Sequence, residues 1–173
     1  MYQVIESRDV YDGMICDIRI DDIKISDDIE IRREVILQKP TVSVLPIDDD
    51  GKILLVRQYR HPIGRYAYEI PAGFIEDGET PQECAARETA EEIGFKPGRL
   101  DFVCAIHPAI GISNMESHIF IGRDLVETGQ SLDHDEFLTV ERRGLDECMA
   151  MIKTGEISSA QTVVALLAYF YKH

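Results

Sequence analysis

Residues 73–95 read GFIEDGETPQECAARETAEEIGF and carry seven carboxylates, three of which, Glu88, Glu91 and Glu92, stand at i, i+3 and i+4. Thr80-Pro81-Gln82-Glu83 combines a hydroxyl N-cap, a proline at the first helical position and a glutamate three residues after the cap, so a helix starts at residue 81. Gly94 follows Ile93 where a left-handed C-cap is wanted, which sets the predicted helix at residues 81–93. At about 100° per residue, Ala86, Ala90 and Ile93 form a narrow apolar stripe, with Glu88, Glu91 and Glu92 on the opposite side. Carboxylates at these spacings repel by roughly 0.2–0.5 kcal/mol per pair in water, and more when partly buried. Arg87 can answer Glu83 or Glu91 at four-residue spacing, which leaves Glu88 and Glu92 for a hard divalent cation. The plain alternative is a solvated acidic face.

The rest of the chain bounds what such a helix can serve. At 173 residues with 45% apolar content, one core is affordable and two domains of ordinary size are not, so a single domain over residues 1–173 is expected. The formal charge of −14 argues against binding nucleic acid by counterion release, because that mode needs a Lys/Arg surface. An anionic ligand must be held locally or through a metal. Cys16, Cys84, Cys104 and Cys148 form neither a CxxC pair nor a disulfide framework, which fits a reducing cytoplasm. No apolar run reaches the ~20 residues of a membrane span, so no membrane association is expected.

Strands are predicted at MICDIRI, IEIRREVIL, TVSVLPI, GKILLVRQY, YAYEI, FVCAI and SHIFI, and helices at LDECMAMIKT and SSAQTVVALLAYFY. Strands outnumber helices, which implies a layered α+β or mixed α/β domain.

Gly73, then Glu79, then Arg87-Glu88-Thr89-Ala90-Glu91-Glu92-Ile93-Gly94-Phe95 resembles the Nudix hydrolase signature G-x5-E-x7-R-E-U-x-E-E-x-G-U. Its one departure is Thr89 in place of a bulky aliphatic, a change in packing rather than in chemistry. The resemblance implies an α/β/α sandwich with a mixed sheet, preceded here by N-terminal antiparallel strands over residues 1–40, with the catalytic core over residues 41–173. It implies Glu88 and Glu92 as metal ligands, Glu91 as a further ligand or water-positioning group, and the Ala72 carbonyl as another ligand. Gly73, Glu79 and Arg87 would support them from behind. The cofactor implied is Mg2+, with Mn2+ an alternative.

The flanks IRREVILQKPTVSVLPID, LLVRQYRHP, EIPAGFIEDGE and TGEISSAQTVVALL resemble the ADP-ribose pyrophosphatase branch, from about residue 11 onward. That likeness implies hydrolysis of ADP-ribose or a related nucleoside diphosphate sugar, substrate contacts from Arg33 and Arg60, and a homodimer built through the N-terminal strands. It also implies a base in LDHDEFLTV, with Glu136 first and His134 and Asp135 next. Three departures bear on the nucleoside: Ile110 stands where the branch has proline, Met115 where it has glutamate, and Met14 where it can have a stacking aromatic. A GDP- or UDP-sugar pyrophosphatase, and a nucleotide-sugar-binding regulator without catalysis, are the alternatives. A nucleoside triphosphatase needs only the same motif, whereas a decapping enzyme would need a basic RNA path.

Overall fold

The computed structural model describes residues 2–172 apart from 133 and 135. The chain divides into two compact units, one of Met1–Pro40 with His107–Glu116 and the other of Thr41–Ile106 with Ser117–His173.

The first unit is a three-stranded antiparallel meander, β1 (Gln3–Tyr11), β2 (Asp17–Ser26) and β3 (Ile29–Leu37), in spatial order β1-β2-β3. Polar cross-links fasten it: Asp21, buried on β2, accepts from Ser7 Oγ at 2.6 Å and from Arg19 Nε at 2.9 Å. The Ser7 hydrogen bond, with Arg19 beside it, holds the Asp21 carboxyl below its ordinary range. The segment His107–Glu116 joins β3 within this unit, where Ile36 N–H donates to the Ile112 carbonyl at 2.8 Å. The strand at residues 3–11 was not among those predicted. Its nine residues are all exposed, so it shows no buried alternation to read.

The second unit holds β4 (Thr41–Pro46), β5 (Ile53–Arg60), a 3-10 turn (His61–Ile63), β6 (Arg65–Glu69), β7 (Ala72–Phe74), α1 (Pro81–Ile93), β8 (Phe95–Ile106), β9 (Ser117–Glu127), β10 (Leu138–Arg143), α2 (Leu145–Thr154) and α3 (Ala160–Phe170). One sheet runs β7-β4-β9-β8 and is mixed, because β4 and β9 are parallel; the other runs β10-β5-β6 and is antiparallel. Side chains alternate across the pleat and sort the core into layers. Val42 and Val44 of β4 and Phe120 of β9 meet Cys84 and Ala85 of α1. Leu45, Ile119 and Ile121 point the other way and meet Cys148, Ala165 and Leu166 of α2 and α3. β5 does the same, with Leu54 and Val56 joining Ile93 of α1 while Ile53 and Leu55 join the α2/α3 layer. Sheets with helices on both sides are the sandwich expected. Each fully buried aliphatic or Phe side chain contributes roughly 1.5–3 kcal/mol, so Phe120 and Leu45 are chief anchors.

Candidate active site

The acidic helix begins and ends where its local signals say. Thr80 Oγ1 accepts from Glu83 N–H and the Glu83 carboxylate accepts from Thr80 N–H at 2.9 Å, closing a capping box. Gly94 takes the left-handed conformation, φ 75°, and donates to the Ala90 carbonyl. The buried face differs from the stripe read off the sequence. Cys84, Ala85, Thr89, Glu92 and Ile93 are buried, whereas Ala86 and Ala90 are only half-buried. Small alanines on both sides left the rotation of the helix open, and the sheet chose the Cys84/Ala85 side. Thr89 fits this dry face because its Oγ1 donates to the Ala85 carbonyl at 2.6 Å.

The rotation places Glu88 and Glu92 at the margin of the buried face instead of opposite it. Glu92 is 6% exposed. Burial, with Glu88 nearby, pushes its carboxyl up to about 8, against a single weak backbone donor, Ala72 N–H at 3.4 Å. Burial also raises Glu88, offset in part by Arg87. Gly73 is bare for a steric reason: a Cβ there would lie 2.0 Å from Glu88 Cδ.

Arg87 binds Glu79 with two hydrogen bonds of 2.9 Å, Glu88 at 2.7 Å, Glu91 at 3.1 Å and the Phe74 carbonyl at 3.2 Å. The Arg87 guanidinium holds the Glu79 carboxyl down at about 2. The sequence allowed Arg87 to pair with Glu83 or Glu91; Glu83 is instead taken by the capping box. Arg87 stands among these acids, and among the described residues no three acidic, His or Cys side chains are gathered as a ready cage for an ion.

A cavity of about 350 Å3 opens over this helix, walled by Ala72, Gly73, Glu88, Glu91, Arg60 and Glu136. Arg60 is fixed by Glu69, with hydrogen bonds of 2.8 and 3.0 Å. Glu136 is close enough to raise both Glu88 and Glu92 electrostatically. The segment leading to it is fastened to the end of α1: Thr128 N–H donates to the Gly94 carbonyl at 2.8 Å, Ser131 N–H to the Glu91 carbonyl at 3.0 Å and Gln130 Nε2 to the Glu92 carbonyl at 2.6 Å. Sequence reasoning missed Gln130, for which no local signal exists. Ala72, Gly73, Glu88, Glu91, Arg60 and Glu136 are thus brought together, with Glu79 braced behind them. His134 stands at an exposed turn, and Asp135 lies outside the described residues. Arg33 belongs to the first unit, exposed on β3, where its Nη1 donates to the Arg32 carbonyl at 3.0 Å.

A buried carboxylate and a half-buried one at i+4 and i, carried by a signature of this spacing on a sandwich of this layering, define a class. The NUDIX domain model matches residues 37–165, and the chain belongs to the Nudix hydrolase family. It is 31% identical over 166 residues to the ADP-ribose pyrophosphatase of Bacillus subtilis (strain 168), an alignment covering 95% of this chain and 90% of that one. To the methanol dehydrogenase activator of Bacillus methanolicus it is 30% identical over 166 residues, with the same coverage. A crystal structure of an ADP compounds hydrolase superposes with a TM-score of 0.88, covering 98% of this chain and 92% of that one, and at 24% identity it shows the shared fold.

Proposed function

We propose that this chain hydrolyses the diphosphate of ADP-ribose or a related nucleoside diphosphate sugar, releasing a nucleoside monophosphate and a sugar phosphate. The observation that carries this is Glu92, a carboxyl buried beside Glu88 with one long backbone contact in return. An unrewarded buried acid at that position is explained by a cation.

The residues present fit a hard divalent ion, Mg2+ or Mn2+: every side-chain donor is a carboxylate oxygen, and the Ala72 carbonyl would add another. Glu88 and Glu92 would hold it, with Glu91 as a third ligand or as the group that positions water. When bound, such an ion neutralises phosphate oxygens and stabilises the leaving phosphate. Glu136, which lines the same cavity, accepts the proton of the attacking water. Arg60, held in direction by Glu69, meets a phosphate oxygen of the substrate. Glu79 and Arg87 orient the helix.

The exposed Val4, Ile5, Val10 and Tyr11 of the edge strand β1 support a homodimer formed through that strand. All four cysteines are unbridged, which supports a reducing, cytoplasmic setting. No helix among the described residues is long and apolar enough to cross a membrane.

The test is a panel of ADP-, GDP- and UDP-sugars and nucleoside triphosphates with Mg2+, products resolved by chromatography. AMP and ribose 5-phosphate from ADP-ribose are expected, with turnover abolished in Glu92→Gln. Tight nucleotide-sugar binding without metal-dependent product would establish a binding protein instead. A sedimentation measurement giving a monomer would remove the dimer.

A further inference from the structure

The face of the four-stranded sheet that carries α3 is apolar at one end and hydroxyl-lined at the other. Leu45, Ile119 and Ile121 fill it against Ala165 and Leu166. Two and four residues back along β4, the same face presents Ser43 and Thr41. Ser117, the parallel neighbour of Thr41 on β9, shares that face with Ile119. Ser43 and Ser117 are 0% exposed, and Ser43 Oγ, Ser117 Oγ and Thr41 Oγ1 make no hydrogen bond to any described residue. Buried hydroxyls are almost always partnered. Two of these three, Thr41 and Ser43, also line a cavity, which points to something that approaches them.

Thr41 and Ser43 line a cavity of about 190 Å3, closed on another side by Ser159 and Gln161 of the first turn of α3. It shares Arg60, Ala72, Gly73 and Phe74 with the lining of the carboxylate cavity, so the two cavities adjoin at these residues. Its volume is that of about six water molecules, right for a single sugar ring and too small for a purine nucleoside. Its charge is balanced, because Glu69 takes both sides of the Arg60 fork. The remaining polar groups are neutral hydroxyls and an amide, with Ser159 Oγ donating to Gln161 Oε1 at 3.1 Å. Such a lining matches a neutral polyol better than a second phosphate.

We propose that this cavity holds the sugar ring at the non-nucleoside end of the substrate, with Ser43 and Thr41 hydrogen-bonding its hydroxyls. The assignment rests on the diphosphate-hydrolase reading above. It is tested with Ser43→Ala and with Gln161→Phe, which fills the cavity from its half-buried rim and stays informative if the core variant fails to fold. Kinetics on ADP-ribose are paired with calorimetric binding of ribose 5-phosphate and of AMP, each with Mg2+. Ser43→Ala should raise KM and weaken ribose 5-phosphate by about three- to tenfold, the loss of one hydrogen bond, with kcat changed less than about twofold. Gln161→Phe should abolish ribose 5-phosphate binding, and AMP should bind both variants as it binds the wild type. Parallel loss of AMP, or ribose 5-phosphate affinity unmoved in both variants while the wild type turns over ADP-ribose, overturns this assignment alone. A wild type that hydrolyses no nucleotide sugar overturns the functional reading beneath it.

Discussion

Glu92 makes the metal-free protein unstable in a way that its pH dependence exposes. Its carboxyl titrates at about 8 in the fold, against 4.5 as the ordinary value. Below pH 4.5 it is protonated folded and unfolded, and costs nothing. As pH rises from 4.5 toward 8 the unfolded chain gives up this proton while the folded one keeps it, so stability falls across that window and levels off above it. At ~1.4 kcal/mol per pH unit of separation, the cost at pH 8 is on the order of 4 kcal/mol, and at pH 5 it is below ~1 kcal/mol. In a chain of this size that difference corresponds to a shift of about 10 °C in melting temperature. Glu92→Gln keeps an acceptor for Ala72 N–H and removes the charge. In chelator-treated protein it should therefore melt higher than the wild type at pH 8, and close to it at pH 5. Saturating Mg2+ should raise the wild-type melting temperature at pH 8 far more than that of the variant, with proton release on binding. Scanning calorimetry at the two pH values with and without metal decides it. A Glu92→Gln protein no more stable than wild type at pH 8, or with the same advantage at pH 5, would refute the reasoning.

Glu136→Gln should lower kcat by about 100-fold or more with KM changed little; an unchanged kcat moves the base to His134, Asp135 or a glutamate of the helix. Gly73→Ala drives a methyl into the Glu88 carboxylate and should reduce Mg2+ affinity or kcat by about 10- to 100-fold; wild-type values in a metal titration would show that Glu88 moves aside freely. Because Arg87 holds Glu79 at about 2, that pair stabilises the fold above pH 4.5 and ceases to as pH falls toward 2. Glu79→Gln should thus lower the melting temperature at pH 7 and converge on the wild type near pH 2, and a constant difference across that range would count against the pair.

What the sequence disclosed followed from how local each signal is. The bounds of α1 were readable because the Thr80 cap, Pro81 and Gly94 act within one turn of the helix. Its rotation was not, since Ala85, Ala86 and Ala90 are interchangeable until the Val42/Val44/Phe120 face selects Ala85. For the same reason, the proposed metal ligand Glu92 was expected opposite the apolar stripe rather than buried beside it. β10 was missed because LTVERR follows an acidic stretch and becomes a strand only by pairing with β5. TVSVLPI was predicted as a strand, and its hydroxyl residue Ser43 is wholly buried. The parallel β4/β9 pairing joins residues some 75 apart in sequence, and nothing local encodes it.

The fastening of Thr128, Gln130 and Ser131 onto the last carbonyls of α1 gives the chain a ruler. Up to Ser131 the loop length is dictated by the helix end it caps. Residues inserted between Thr128 and Ser131 break this register and should lower the melting temperature.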